Sequence, residues 1–289
     1  MSGLRKIIFL VPAVVLAMTA ARAQQRFLPQ PDYVQLSPPD QAEGRRILEE
    51  FRAKGIIAGD YFLAFQLHVL PRRGGERILT GRLWGTHNDE GPLSRMELAA
   101  DPDKKTELRL LVQSGPSPAV WKWDGTGAAS PMDVSAFFAP VGDTNLTAFD
   151  LQMPFLYWTD FVYEGLTRVL GRPAHRFLLR PPPDFAAKYP ALTGVRVYLD
   201  TQFIEPVQME LIGGHGQVLK TITLLELKRI GEEWIPKSFD VRDEVTRNKT
   251  RFVVTGAALG LKLPAGIFAP AELSSPAAAP PAEQITPVE

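Results

Sequence analysis

The sequence predicts a mainly β chain, an antiparallel meander closing into a sandwich or barrel. Three observations carry that expectation. Apolar residues recur at every second position through 195–254: Val195, Val197 and Leu199, then Val207, Met209 and Leu211, then Phe239 and Val241, then Phe252 and Val254. Such alternation sets one face of each strand against a dry layer and the other toward water. The breaks are short and rich in turn residues, namely Gly213-Gly214-His215-Gly216, Gly231-Glu232 and 244–248. Links that short join antiparallel neighbours, because a parallel return needs a long crossover. Upstream, strand patterns follow one another at a spacing of about ten residues, as sandwiches and barrels do.

Composition sets the limits. With 289 residues and 45% apolar content, the chain can bury a full core as one large β domain or two smaller ones. Lys plus Arg and Asp plus Glu both total 32, so no net field recruits nucleic acid or an anionic bilayer. There is no cysteine, which excludes thiol catalysis, thiolate metal sites, disulfides and lipid attachment through an N-terminal cysteine.

Residues 1–23 read as a cleavable secretory signal. Arg5 and Lys6 precede an apolar run at 7–18 that is short for a membrane span, and Ala21-Arg22-Ala23 fits the cleavage rule. Residues 24–59 form a lead-in and one amphipathic helix. Ser37 is its expected cap, proline and acid fill its first turn, Ile47, Leu48 and Phe51 form its stripe, and Gly55 stops it. A lone helix ahead of a long sheet is expected to plug or cover that sheet.

Residues 60–273 hold the strands. Leu63, Phe65 and Leu67 alternate with Ala64, Gln66 and His68, Gly74-Gly75 turns the chain, and 77–85 returns. Met96 and Leu98, then Leu108 and Leu110, alternate with Arg95, Glu97 and Arg109, with a polar link at 101–105. The charged members are expected on the wet face. Trp121 and Trp123 flank Lys122 in a short strand. The alternation then fails over 130–160, where Phe149, Leu151, Phe155 and Trp158 stand among other aromatics. Two readings fit that stretch: packing across one end of the sheet, or a movable apolar lid. Strands resume at 162–170 and 175–179, and the prolines from Pro181 to Pro190 are expected to interrupt the sheet. In 218–229 both Ile222/Leu224 and Leu225/Leu227 are apolar, so its inward face is open. Residues 274–289 are Ala and Pro with almost no large apolar group, and are expected to be disordered.

The chemistry-bearing motifs are sparse. His68, His87, His175 and His215 do not lie at metal spacing, and no nucleophile elbow, phosphate-binding loop or dinucleotide fingerprint occurs. The reading is therefore non-catalytic, with no catalytic residue, metal or cofactor.

From Trp121 to Leu273 the sequence resembles the LolA-like outer-membrane lipoprotein-sorting proteins. The matching pieces are AVWKWDG, DTNLTAFDL, GRPAHRFLLRPP, VRVYLD, EPVQMEL, GGHGQVLKTI, GEEWIPKSFDVRDEVTRNKTRF and LPAGIFAPAEL. Their order and spacing carry the likeness. The proline-rich interruption and the Ala/Pro tail depart from it. The resemblance implies an antiparallel, incompletely closed β-barrel covered by a few helices, a periplasmic location, and acyl chains of lipids or lipoproteins held in the concave face. It also implies a monomeric carrier without catalysis; relatives of this fold that act as envelope sensors leave a protein-interaction module with an envelope partner as the alternative. No lipid-contact motif transfers residue by residue. Strand alternation assigns Leu63, Phe65, Leu67, Met96, Leu98, Leu108, Leu110, Val197, Leu199, Val207, Met209, Leu211, Phe239, Val241, Phe252 and Val254 to the concave face, with Phe149, Leu151, Phe155 and Trp158 as the lid. One outcome is testable from the sequence: N-terminal sequencing of exported protein should return Gln24, and a chain starting at Met1 would refute the cleavage.

Overall fold

The computed structural model describes residues 38–54, 57, 59–99 and 108–289. The expected leader 1–23, the Ser37 cap, the Gly55 stop and the link at 101–105 lie outside the described residues. Helix α1 (Gln41–Lys54) comes first. Its cap is Asp40, whose Oδ1 accepts the backbone N–H of Ala42 at 2.9 Å. Pro39 keeps the residue before it out of the helical region, so the helix begins later than a Ser37 cap would place it.

Six strands follow: β1 (Asp60–Leu70), β2 (Arg77–Asn88), β3 (Gly91–Ala99), β4 (Leu108–Gln113), β5 (Ala119–Trp123) and β6 (Ser130–Pro131). A crossing segment carries the short helix α2 (Ala148–Gln152). The second run is β7 (Phe161–Val169), β8 (Arg172–Leu179), β9 (Gly194–Asp200), β10 (Pro206–Ile212), β11 (Val218–Ile230), β12 (Glu233–Asp243) and β13 (Lys249–Leu261). Helix α3 (Pro183–Lys188) lies between β8 and β9, and a two-residue strand, β14 (Thr286–Pro287), ends the chain.

All strands join one antiparallel sheet in the order β6-β5-β4-β3-β2-β1-β13-β12-β11-β10-β9-β8-β7, with β14 added to β13. Each run is a meander, and the pairing of β1 with β13 fuses the two. Strands β6 and β7 do not pair, so the barrel stays open. The segment between them must cross the open side, which is why the aromatic stretch 132–158 covers the concave face. Helix α1 dresses the β7 edge: the Gln41 amide donates to the Tyr163 carbonyl and accepts the Tyr163 N–H, both at 2.9 Å. A side-chain amide here replaces the missing ladder partner of an edge strand. A Cβ on Gly44 would lie 2.4 Å from the Tyr163 side chain, so glycine permits this approach.

The prolines at 181–190 do not interrupt the sheet. Pro182 caps α3, Pro183 is its first residue, and the ladder resumes at once with Leu179 opposite Val195. Proline at the first helical position loses no hydrogen bond.

Both faces of the first half are buried. The concave face carries the main core, and Ile47, Leu48 and Phe51 of α1 join it. A second cluster on the other face packs Phe62, Trp84 and Leu111 against Phe268, Leu273 and Ala277. Here two expectations are corrected. Arg95, Glu97 and Arg109 are not wet but 1%, 2% and 6% exposed. The tail is not disordered: it lies over them. Arg95 donates to the carbonyls of Ile267 (3.0 Å), Glu272 (3.3 Å) and Ser275, and Arg109 to those of Leu273 (3.2 Å) and Ser274. Glu97 accepts from both Arg95 and the Ala277 N–H, each at 2.8 Å. Trp84 Nε1 donates to the Ala278 carbonyl at 3.2 Å. An Ala/Pro segment has few side chains to pack, but its carbonyls satisfy guanidinium donors. Further on, β12 stops pairing with β13 beyond Ser238 and Val253, and β14 takes the vacated edge at Gly256 and Ala257. Val288 then enters the main core at 6% exposure.

Glu97→Gln leaves two buried guanidinium groups without their carboxylate and should cost about 3–5 kcal/mol. The exposed Glu43→Gln, which breaks a surface pair with Arg46, should cost less than about 1 kcal/mol. Urea unfolding of both variants checks this; equal midpoints would show that the buried cluster does not hold the tail.

Candidate functional site

A cavity of about 690 Å³ lies between the concave face and its cover. That volume is in the range of small-molecule sites. Leu63 of β1, Leu83 of β2, Met209 of β10 and Phe252 and Val254 of β13 form its sheet side. Ile222, Leu224 and Leu227 of β11 and Pro236 and Phe239 of β12 continue that wall. Leu146, Leu151 and Met153 approach from the crossing segment. The lining is mostly methyl, methylene and ring carbon.

The residues assigned to the concave face divide into two groups. Leu63, Met209, Phe239, Phe252 and Val254 line the cavity, and so does Val207. Val207 nonetheless packs in a separate small cluster with Val169, Ala174 and Tyr198, because β10 carries a register shift between Pro206 and Gln208. Phe65, Leu67, Met96, Leu98, Leu110, Val197, Leu199, Leu211 and Val241 instead form filled core with α1 and the aromatic cover, and Leu108 packs at its margin. They have the expected inward direction, but other side chains occupy the space in front of them.

The cover behaves similarly. Phe149, Phe155 and Trp158 are 0%, 0% and 7% exposed. Phe149 stacks on Phe138 at 4.6 Å between ring centroids, and Phe138 stacks on Tyr189 at 3.7 Å. Of the four residues assigned to a lid, only Leu151 faces the cavity. Two guanidinium bonds tie the cover to α1, from Arg52 to the Trp158 carbonyl at 2.8 Å and to that of Leu156. The aromatic stretch is packed cover.

Sequence reading did not identify Tyr61, Leu83, Met153, Leu227, Trp234 or Pro236 as lining. For β11 the reason is a bulge. Leu224 lies opposite Phe239 but Glu226 opposite Ser238, so one extra residue shifts the side-chain parity. Ile222 and Leu224 therefore face inward before the bulge and Leu227 after it, while Leu225 turns out at 37% exposure. The two apolar pairs that looked contradictory serve one face in turn. Tyr61 is half-buried at the wall, and the loss of water around it pushes its hydroxyl pKa up to about 12.

Charged groups stand at two places on the wall. Asp150 has a side chain only 1% exposed and binds Lys220 of β11 at 2.6 Å. Its Oδ2 also accepts the Thr147 N–H (2.9 Å) and hydroxyl (2.7 Å), which caps α2. Its Oδ1 is buried without a hydrogen-bond partner. The other place is the rim at the hairpin ends, with Arg172, Phe203, Glu205, Glu232, Glu233 and Trp234. Arg172 pairs with Asp200 at 2.9 Å, and the Asp200 carboxylate accepts the N–H groups of Gln202 and Phe203. Ile204 is held at φ 54, a left-handed conformation costly for a β-branched residue, with its N–H on the Asp200 carbonyl at 3.0 Å. This turn fixes Phe203 and Glu205 at the rim.

The β11 assignment has a direct check. Ile222→Ala should destabilise by about 2 kcal/mol or more, whereas Leu225→Ala should stay within about 0.5 kcal/mol. Equal losses in urea unfolding would refute the parity shift.

A family model described as "Uncharacterized protein" matches residues 141–275. No curated protein matches the chain. Among solved structures, a domain from Vibrio parahaemolyticus named for outer membrane lipoprotein sorting aligns over 81% of this chain and 100% of its own, at TM-score 0.71 and 16% identity. A DUF1329 family protein from Desulfovibrio piger aligns over 82% and 100%, at TM-score 0.70 and 13% identity. A LolA superfamily protein from Nitrosomonas europaea aligns over 78% and 96%, at TM-score 0.58 and 14% identity. Identities this low speak to architecture alone. The chain has the incompletely closed, helix-covered β-barrel fold of the LolA-like proteins.

Proposed function

We propose that this protein is a periplasmic carrier that shelters the acyl chains of a lipid or lipid-modified protein in its concave cavity, without altering them. The observation that carries the reading is the cavity itself: about 690 Å³ of mostly apolar wall beneath a sheet that the filled core already stabilises. A fold needs no such space for its own stability, since empty volume forfeits packing contacts. An acyl chain placed there gains about 0.8 kcal/mol per buried methylene. The likeness to a structure named for lipoprotein sorting supports the same reading, as does the expected leader at 1–23. The alternative is an envelope sensor or protein-interaction module using the same barrel fold.

The uncharged fluorescent probe N-phenyl-1-naphthylamine should bind the purified protein. Met209→Ser and Phe252→Ser, each confirmed folded by circular dichroism, should weaken it by about tenfold or more, since each removes most of one side chain's worth of buried apolar surface. Arg251→Ser, on the outer face beside Asp240, should not. Equal affinities across the three variants would exclude this cavity as the site.

A further inference from the structure

Links 170–171, 201–205 and 231–232 join β7 to β8, β9 to β10 and β11 to β12, so all three turn at the same end of the antiparallel sheet. Each hairpin puts a large apolar side chain into water there. Leu170 is 72% exposed, Phe203 41%, and Trp234, the second residue of β12, 54%. With neighbouring strands about 4.8 Å apart, the three follow one another at intervals of roughly 10 Å along the rim. Phe203 and Trp234 also line the cavity, as does Arg172 beside the Leu170 turn, so the cavity reaches the surface at this end. The opposite end exposes Ile78 and Val245, and neither lines the cavity.

The fold does not call for these side chains. Leu170 and Gly171 form a two-residue link at φ 49 and 83, the left-handed pair in which Asn-Gly is favoured. Leucine adds strain at that position and, being exposed, gains nothing from burial. Charge narrows what the rim can meet. Across 168–172, 200–205 and 229–234 there are three arginines and four carboxylates, so no positive excess draws it to an anionic surface. The Arg172 guanidinium lies 5.9 Å from the Phe203 ring centroid and pairs with Asp200. Aromatic rings set among charges of both signs match a zwitterionic head-group layer, the place where Trp keeps its ring dry and its N–H wet. Three side chains on separate loops, spread over about 20 Å, offer little of the continuous area that a stable protein partner buries. A bilayer interface, by contrast, takes up side chains one at a time.

We infer that this rim docks on the surface of a neutral, zwitterionic bilayer, with Leu170, Phe203 and Trp234 entering the head-group boundary and the cavity mouth set against the lipid. This rests on the carrier reading and adds the phase with which the cargo is exchanged. Acyl methylenes are unfavourable in water. A mouth pressed to the bilayer lets an acyl chain pass between two apolar phases without crossing it.

The test floats the purified protein with phosphatidylcholine vesicles. The unmodified protein should rise with them, and neither added phosphatidylglycerol nor a change of salt should tighten the binding. Leu170→Ser and Trp234→Ser should each weaken partitioning by about tenfold, the scale for losing one large apolar side chain from a dry contact. Val245→Ser, a like change at the opposite end, should leave it unchanged. Trp84 and Trp158 are buried, and Trp121 and Trp123 are half-buried in β5 on the other half of the sheet. Emission should therefore shift to the blue on adding vesicles through Trp234, and Trp234→Phe should keep most of the binding while losing the shift. Leu170 does not line the cavity, so Leu170→Ser should bind N-phenyl-1-naphthylamine in solution like the unmodified protein. Unmodified protein that binds the probe but does not float would overturn the bilayer contact and leave the carrier reading standing. Equal flotation of Leu170→Ser, Trp234→Ser and Val245→Ser would overturn the assignment to this rim. Flotation that depends on Leu170 and Trp234 without any probe binding would uphold the docking surface and overturn the carrier reading.

Discussion

The antiparallel ladder between β1 and β13 is the contact on which the remaining structure depends. It runs from Asp60 opposite Leu261 to Leu70 opposite Lys249 and joins two meanders that otherwise share no strand pairing. Its ends are about two hundred residues apart in sequence, so this is the pairing with the largest loop-closure cost. Aromatic packing offsets that cost. Phe65 of β1 stacks on Phe252 of β13 at 4.4 Å, and Phe252 stacks on Phe239 of β12 at 4.8 Å. The same stack forms part of the cavity wall, so the element that closes the topology also shapes the site.

The outer face of the first meander carries an unusual burden. Three charged side chains lie on a surface that alternation would leave wet, and they are buried under backbone rather than under apolar side chains. Desolvating two guanidiniums and a carboxylate is unfavourable unless each donor finds an acceptor. Carbonyls of residues 267–275 accept from both guanidiniums and the Glu97 carboxylate from Arg95; Arg109 Nε makes no hydrogen bond, and the Arg109 guanidinium lies 4.1 Å from the Trp123 ring centroid. The arrangement specifies one path for the tail: a slip of even one residue would leave several buried donors unmatched. The end of the tail then fills the place where β12 leaves β13, and Val288 closes the core behind it.

The cavity exists because the barrel is open and its cover is incomplete. Segment 132–158 spans the gap between the free edges β6 and β7, and its rings pack one part of the concave face solidly. From that segment Leu146, Asp150, Leu151 and Met153 reach the wall. Bulges in β10 and β11 turn the sheet there and bring additional apolar residues to the same surface. Met153, the residue that ends α2, has φ 47, a left-handed turn that leads directly into the proline starting the next helical turn. The polypeptide thereby changes direction above the cavity instead of filling it.

The sequence by itself determined the strand class, the meander order and the inward direction of most strands, because side-chain alternation is a local property that survives any antiparallel arrangement. It gave the stripe of α1 and the aromatic nature of the cover for the same reason. It could not determine which inward residues touch open space and which touch one another. Phe65 and Leu63 have the same parity on one strand, yet Leu63 lines the cavity while the Phe65 ring is covered by the Phe252 ring stacked on it. Nor could alternation show the bulge in β11, where a single extra residue inverts parity. The tail is the clearest case. Its composition has almost no large apolar side chain and reads as unfolded, while Arg95, Glu97 and Arg109 read as solvated; each is buried by the other. That outcome belongs to the tertiary structure, because neither partner has a reason to be ordered until the fold brings residues 180 positions apart into hydrogen-bond distance.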